Sequence, residues 1–214
     1  RGIPGASLQV WRALVPKVEM WVGEYDAACL ERTRRAGRLF GAKGMTGDQS
    51  NHTDVERWAR TSGGNFTVII DDGGHSNKMI LTSFDVLWPT IVPGGLYLIE
   101  DLRLTRTAGF EDTNGKKVFS DVLQYWLDVM LTGPEMYAHT GDVDAGANES
   151  LTSEEKSGRE QTRHAVGSDD DSAWAMAAER GLMRARARRF PPPPADLDFI
   201  FCESGSACTL GKRR

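Results

Sequence analysis

Two pairs of acidic residues follow apolar segments of the chain, at the points where those segments end. Asp71 and Asp72 end one segment, and Glu100 and Asp101 end another. If the two segments are neighbouring parallel strands, their carboxyl ends lie at one edge of the sheet and bring these carboxylates together. Carboxylates held close in a partly dry site repel one another strongly. A divalent cation is the simplest way to relieve that repulsion.

The residues around the acidic pairs suggest which ion is held and what it does. Oxygen ligands favour a hard cation, so Mg²⁺ is the expected ion, with Mn²⁺ or Ca²⁺ as alternatives. His75 lies three residues after Asp72, where an imidazole could take a proton from a substrate hydroxyl held by the cation. The competing interpretation makes Asp71 and Asp72 solvated helix caps, since Asp is a favoured capping residue.

The elements that must position these residues alternate along the chain. Apolar runs alternate with segments of helical period to about residue 131, which predicts an α/β fold with a mostly parallel sheet. Strands are expected at 18–23, 66–70 and 95–99, a weaker one at 42–46, and a terminal hairpin at 197–210. Helices are expected at 26–36, 54–61, 78–88 and 120–131.

Size and charge exclude several classes of protein. A chain of 214 residues predicts a single domain, and a net charge of −4 argues against a generally basic nucleic-acid-binding surface. No stretch approaches the roughly 20 apolar residues that span a bilayer, so no membrane association is expected. Three scattered cysteines do not form a disulfide framework. An intracellular, reducing compartment is therefore favoured. Cys202 and Cys208 flank the terminal turn and could lie across a hairpin from each other, and in such a compartment they are expected to be free thiols.

Two segments differ in composition from the rest. Residues 141–171 are rich in Gly, Ser, Glu and Asp, which predicts an exposed, flexible insertion within the domain. Residues 184–189 form a basic run, interpreted as a solvated helix end, with a nucleic-acid contact as the alternative.

Three stretches carry a resemblance to a known family. They are residues 68–76, Val-Ile-Ile-Asp-Asp-Gly-Gly-His-Ser, the helix that contains Thr-Ser-Phe at 82–84, and residues 87–102, which include Pro-Gly-Gly-Leu-Tyr-Leu-Ile-Glu-Asp-Leu at 93–102. Together they resemble the central part of class I S-adenosylmethionine-dependent methyltransferases. More narrowly, they resemble the metal-dependent sugar O-methyltransferases that act on macrolide antibiotics. The resemblance implies a Rossmann-like, doubly wound sheet and methyl transfer from S-adenosylmethionine, with Mg²⁺ or Mn²⁺, to a hydroxyl of a sugar or another small oxygen-rich acceptor. It implies three metal ligands and a general base: Asp72, Glu100, Asp101 and, as the base, His75.

The resemblance also implies a cofactor site near the first two expected strands. An acid at the end of the second strand of the family fold binds the ribose hydroxyls, and here Glu24 takes that place, with Asp26 as the alternative. The Gly-Asp-Gln turn at 47–49 resembles the turn that contacts the adenine region. The other cofactor-binding residues that the resemblance implies are Gly2, Gly5, Asp48, Gln49 and Asp71.

The sequence departs from the family at its beginning. The first strand, with its acidic-Gly-x-Gly signature, is expected before Arg1 and is absent, which would expose the edges of two neighbouring strands. The alternatives are a catalytically silent methyltransferase-like domain and an RNA methyltransferase. A nicotinamide-binding enzyme is disfavoured, because no Gly-x-Gly-x-x-Gly follows a strand. The acceptor and the choice between monomer and homo-oligomer stay open.

Overall fold

A computed structural model describes residues 3–133, 181, 185–186, 189–203 and 207–214. The strands are β1 (Trp21–Glu24), β2 (Lys43–Thr46), β3 (Phe66–Asp71), β4 (Ile91–Ile99), β5 (Leu197–Cys202) and β6 (Cys208–Lys212). The helices are α1 (Ala6–Leu14), α2 (Ala27–Arg35), α3 (His52–Ser62), α4 (Asn77–Leu87) and α5 (Phe119–Thr132), with short 3-10 helices at Trp88–Thr90 and Leu102–Arg106. The predicted alternation of strands and helices is confirmed.

The strands form two separate sheets. β1 and β2 pair in parallel, and the second sheet has the order β3-β4-β6-β5. In that sheet β3 and β4 are parallel, whereas β4–β6 and β5–β6 are antiparallel, which confirms the predicted terminal hairpin. Within the described residues, β1 and β3 each have one edge without a strand partner.

The buried core lies mainly around β3, β4 and β6. We call residues 3–65 the β1–β2 region, and residues 66–120, 194–203 and 207–214 the β3–β6 region. In the β3–β6 region Phe84 of α4 stacks on Trp88 and meets Tyr97 edge-on, with ring centroids 5.1 Å apart in both pairs. The buried apolar residues of the β1–β2 region are smaller: Leu30, Leu39, Ala42 and Val55. Burial of large aromatic rings therefore stabilises the β3–β6 region far more.

Side-chain caps determine where the helices that follow β1, β2 and β3 begin. Asp26 caps α2 by accepting from the backbone N–H of Ala28, Asn51 caps α3, and Ser76 caps α4. Short polar side chains at these positions satisfy N–H groups that the helix itself leaves unpaired. Each cap follows a parallel strand within a few residues, so the loops at the carboxyl ends of β1, β2 and β3 are short and held in place.

The contacts divide the chain into two compact units, residues 1–120 with 194–214, and residues 121–193. In the second unit the Trp126 indole N–H donates to the carbonyl of Pro191 at 2.9 Å, and Arg186 forms an ion pair with Asp128. A single methyltransferase domain stays a prediction. The expected insertion at 141–171 and half of the basic run at 184–189 lie outside the described residues.

The prediction of free thiols in the terminal hairpin is wrong. Cys202 and Cys208 lie directly opposite each other in the register of β5 and β6 and form a disulfide, with Cα atoms 4.1 Å apart. Opposed residues of an antiparallel pair bring their side chains close. The sequence indicated that the two cysteines could lie across the hairpin, and the error was to infer free thiols from the expected compartment. None of the helices in the described part of the chain has the length and apolar character needed to cross a bilayer.

Candidate active site

The carboxyl ends of β3 and β4 bring Asp72, His75 and Asp101 together. One ligand atom from each side chain lies within 4.8 Å of the other two. The parallel register pairs Asp71 with Ile99, so the residues that follow each strand leave the sheet side by side. Three of the four residues implied for the metal and the base therefore meet at one edge of the sheet.

Glu100 lies outside this tight group but close to it. Burial, and then the negative charges of Asp72 and Asp101, raise the pKa of Glu100, while His75 lowers it. Its backbone N–H donates to the carbonyl of Asp71 at 3.0 Å, which ties the start of this loop to the end of β3. The Glu100 carboxylate thus belongs electrostatically to the same cluster.

The backbone is strained at two of the clustered residues. His75 and Asp101 have φ angles of +58° and +51°, in the left-handed region that non-glycine residues rarely adopt. Each such residue costs about 1 kcal/mol, so the surrounding packing must maintain the conformation. The imidazole of His75 has 17% of its side-chain area exposed and lies 6.3 Å from the Phe110 ring, between centroids. The imidazole is therefore mostly buried, with part of its surface open to solvent.

The donor set fits a divalent cation. Around Mg²⁺, bonds of about 2.1 Å place ligand atoms about 3 to 4 Å apart, so small rotations of these side chains bring the group to bonding distance. Arg103 approaches Asp101 at 3.7 Å but is 70% exposed, and such a pair offsets little of the negative charge. His75 Nε2 is 3.9 Å from Asp72, too far for a hydrogen bond. The carboxylates are therefore available to a cation.

The ends of β1 and β2 carry the residues predicted to bind the cofactor. The backbone N–H of Gly47 donates to the carbonyl of Glu24 at 3.1 Å, which joins the two strand ends. The turn that follows is closed by the Asp48 carboxylate, which accepts from the N–H of Ser50 at 2.8 Å. The N–H of Asp48 itself donates to the Asp54 carboxylate at 2.9 Å. Glu24 and Asp48 are thereby held at adjacent strand ends.

Of the two acids at the end of β1, Glu24 and Asp26, the second caps helix α2. Its carboxylate accepts from the N–H of Ala28 at 2.8 Å, and backbone N–H groups of Cys29 and Ala28 lower the pKa of Asp26. Glu24 has one oxygen 2.9 Å from the N–H of Asp26, and it is half-buried at the strand end. This arrangement favours Glu24 as the acid that meets a ligand.

Gln49 and Asp71 direct their polar atoms at the protein itself. The Gln49 amide donates to the buried Asp71 carboxylate at 2.7 Å and to the Ser83 hydroxyl at 3.0 Å. Burial raises the pKa of Asp71, opposed by hydrogen bonds from Ser83, Gln49 and Tyr97. Sequence reasoning gave Ser83 no role. The sequence feature that could have identified Ser83 is its position as a polar residue between Ile80 and Phe84, on the apolar face of α4.

The two glycines implied for the cofactor differ in what can be said of them. Gly5 precedes α1 with φ +83°, and a Cβ there would lie 2.3 Å from the carbonyl oxygen of Arg38. Only glycine fits this approach. Gly2 lies outside the described residues. The roles of both glycines, of Gln49 and of Asp71 toward a cofactor stay predictions.

Comparisons with known proteins find relatives of this chain. No family model matches the chain. Mycinamicin VI 2''-O-methyltransferase of Micromonospora griseorubida is 34% identical over 169 residues, which are 68% of this chain and 40% of that protein. Demethylmacrocin O-methyltransferase of Streptomyces fradiae is 51% identical over 66 residues, 31% of this chain and 16% of that protein. The chain thus spans less than half the length of these relatives.

A comparison with solved structures also finds a methyltransferase with a similar fold. The MycE methyltransferase from the mycinamycin biosynthetic pathway, in complex with Mg, SAH and mycinamycin VI, matches with a TM-score of 0.58 and 20% identity. The match covers 100% of this chain and 41% of that chain. The chain is therefore homologous to the macrolide sugar O-methyltransferases and has the fold of the class I S-adenosylmethionine-dependent methyltransferases.

Proposed function

We propose that this protein transfers the methyl group of S-adenosylmethionine to a hydroxyl of a sugar or another small oxygen-rich acceptor, with Mg²⁺ or Mn²⁺ as a second cofactor. The observation that carries the proposal is the convergence of Asp72, His75 and Asp101, with ligand atoms within 4.8 Å of one another. The names of the relatives support it, since they are O-methyltransferases whose substrates include olivosyl and rhamnosyl compounds. The MycE structure with Mg and SAH supports the cofactors.

Asp72 and Asp101 hold the cation in this proposal, and Glu100 turns inward as the third ligand. The negative charge that raises the pKa of Glu100 is the charge that a cation would neutralise. When bound, the cation supplies positive charge that orients two substrate oxygens and lowers the pKa of the reacting hydroxyl. Three carboxylates on two short loops give the hard oxygen donors that Mg²⁺ prefers.

His75 is the general base in this proposal. Its imidazole takes the proton of the acceptor hydroxyl while the oxygen forms a bond to the methyl carbon. The bond from that carbon to sulfur breaks, and its electron pair stays on sulfur. The ring is held by its turn and by Phe110, so it approaches the hydroxyl from a fixed direction. Positioning of this kind supplies much of the rate in such a displacement.

The β1–β2 region would bind the cofactor in this proposal. Glu24 would accept hydrogen bonds from the ribose hydroxyls, and the turn containing Asp48 would contact the adenine region. Gly5 lets the backbone before α1 approach the ligand. S-adenosylmethionine, when bound, supplies the methyl group as a sulfonium substituent.

Isothermal titration tests the proposal. S-adenosylmethionine and S-adenosylhomocysteine are titrated into this chain and into a version extended upstream, each with and without Mg²⁺. We expect the extended form to bind both ligands, and Mg²⁺ to support transfer of a labelled methyl group to mycinamicin VI or to other sugar-bearing macrolides. A folded, extended protein that binds neither ligand would contradict the proposal and favour a catalytically silent domain.

A further inference from the structure

A buried carboxylate supports the loop that carries the candidate metal ligand and base. Asp71, the last residue of β3, accepts from the Ser83 hydroxyl at 2.6 Å and lies 3.0 Å from the Tyr97 hydroxyl. All three residues are buried, and these donors are neutral. The carboxylate is therefore held by hydrogen bonds alone at the base of the loop formed by residues 72–75, which we call the metal loop.

Gln49 reaches this anchor from the β1–β2 region. Its Nε2 group donates to Asp71 and Ser83, and its Oε1 atom accepts from the backbone N–H of Gly74 at 3.0 Å. The partners fix the orientation of the amide, because Asp71 needs a donor and Gly74 needs an acceptor. One side chain thus joins the turn after β2 to both the anchor and the metal loop.

The metal loop is shaped around this side chain. A Cβ at Gly73 would lie 2.1 Å from Gln49 Oε1, and a Cβ at Gly74 would lie 2.0 Å from the sulfur of Met79. The N–H of Gly73 also interacts with the Asp71 carboxylate. A side chain at either glycine would therefore force Gln49 or Met79 to move. The next residue, His75, has the left-handed backbone described above.

We propose that Gln49 is a positioning residue: it holds the metal loop, and through it Asp72 and His75, in the geometry that the cation and the base require. The proposal rests on the proposed function for the roles of Asp72 and His75. It differs from a direct contact of Gln49 with the cofactor. A side chain whose amide groups are all bonded to protein acts through the residues it binds.

Three variants of the protein test this role. Gln49→Leu removes every hydrogen bond of the amide, and Gln49→Glu places a second carboxylate against Asp71. The double variant Gln49→Glu with Asp71→Asn exchanges donor and acceptor and rebuilds the pair in reverse. Exposed Gln124 on α5 gives the matched control, Gln124→Leu. Circular dichroism and a thermal melt check that each variant is folded.

Binding of Mn²⁺ followed by electron paramagnetic resonance, and of S-adenosylhomocysteine by calorimetry, separates the two roles. We expect both single variants to lose about 10- to 100-fold in Mn²⁺ affinity, the usual effect of losing a group that orients a metal ligand. S-adenosylhomocysteine affinity should stay within about twofold, because no contact with it is removed. The double variant should recover most of the Mn²⁺ affinity. Loss of S-adenosylhomocysteine affinity with unchanged Mn²⁺ affinity would overturn the proposal and make Gln49 a cofactor contact.

Amide hydrogen exchange at Gly74, without any ligand, keeps this test independent of the proposed function. Gln49→Leu should speed exchange at Gly74 while leaving α5 unchanged, since the N–H loses its acceptor. A wild-type protein that binds no Mn²⁺ would contradict the proposed function, and the exchange result would still decide whether Gln49 holds the loop. Unchanged exchange in a folded Gln49→Leu variant would overturn the positioning role.

Discussion

The predicted cofactor-binding residues of the β1–β2 region and the predicted metal ligands and base of the β3–β6 region are held in different ways. In the β3–β6 region the metal loop rests on Asp71, Ser83 and Tyr97, all buried beside the aromatic core. In the β1–β2 region Glu24 and Asp48 are half-buried and fixed by turns and helix caps. The base and the cation site therefore have a preformed scaffold, whereas we expect the cofactor side to gain order when it binds its ligand.

The largest effect is expected at His75, where the rate of methyl transfer should fall while cofactor affinity stays the same. His75→Ala removes the base but no part of the β1–β2 region, so single-turnover methyl transfer should fall about a thousandfold, with S-adenosylhomocysteine affinity within about twofold. His52→Ala, at an exposed histidine on α3 with 58% of its side chain exposed, is the control. A rate within tenfold of wild type would remove His75 as the base.

The cation should depend on the β3–β6 region alone. Asp101→Asn removes one carboxylate from the tight group, so Mn²⁺ affinity measured by electron paramagnetic resonance should fall about 100-fold. S-adenosylhomocysteine affinity in metal-free buffer should not change. Asp85→Asn, at an exposed acid on α4 with 80% of its side chain exposed, is the control. Full Mn²⁺ affinity in Asp101→Asn would show that the acidic edge is not the metal site.

The acidic residues of the β3–β6 region could be predicted from the sequence, because an apolar run that ends in acids is typical of the carboxyl end of a buried strand. That reasoning brought Asp72 and Asp101 to one edge before any coordinates were known. It did not show that His75 lies within the tight group and Glu100 outside it. The backbone at His75 and Asp101 is left-handed, a conformation that His and Asp adopt more often than most residues, but nothing in the sequence marks these two positions for it.

The link between the two regions was harder to predict. Gln49 and Asp71 are 22 residues apart, and their contact depends on how the turn after β2 meets the end of β3. Local patterns placed both residues at strand ends but gave no distance between those ends. The disulfide between Cys202 and Cys208 was missed for a different reason, because the compartment inferred from the low cysteine count was expected to keep both residues as thiols.

Cofactor affinity should depend on the β1–β2 region. Glu24→Gln replaces a charged hydrogen-bond acceptor, which lowers S-adenosylhomocysteine affinity by about tenfold or more and leaves Mn²⁺ affinity unchanged. Asp26→Asn is the matched comparison, because asparagine caps a helix nearly as well as aspartate. Calorimetry on both variants decides between the two acids. A greater loss of affinity in Asp26→Asn would assign the ribose contact to Asp26.

The smallest effect concerns the turn after β2 that contains Asp48. It appears in the pH dependence of the free energy of unfolding. The backbone N–H of Asp48, and then the Arg57 guanidinium, hold the pKa of Asp54 below its ordinary value of 3.8. Because the folded-state pKa is lowered, ionised Asp54 stabilises the folded chain above pH 3.8, and that stabilisation is lost as the pH falls below it. Urea midpoints of wild type and Asp54→Asn should therefore converge as the pH falls below 3.8.

Arg57→Gln tells whether the main chain or the ion pair causes this effect. Arg57 donates to Asp54 at 2.6 Å, on the surface, where ion pairs contribute little to stability. The backbone N–H of Asp48 is the larger cause of the shift, so Arg57→Gln should keep most of the pH dependence that Asp54→Asn abolishes. If Arg57→Gln abolishes it as well, the surface ion pair holds the turn. The β1–β2 side of the site would then depend on salt concentration, unlike the buried anchor of the metal loop.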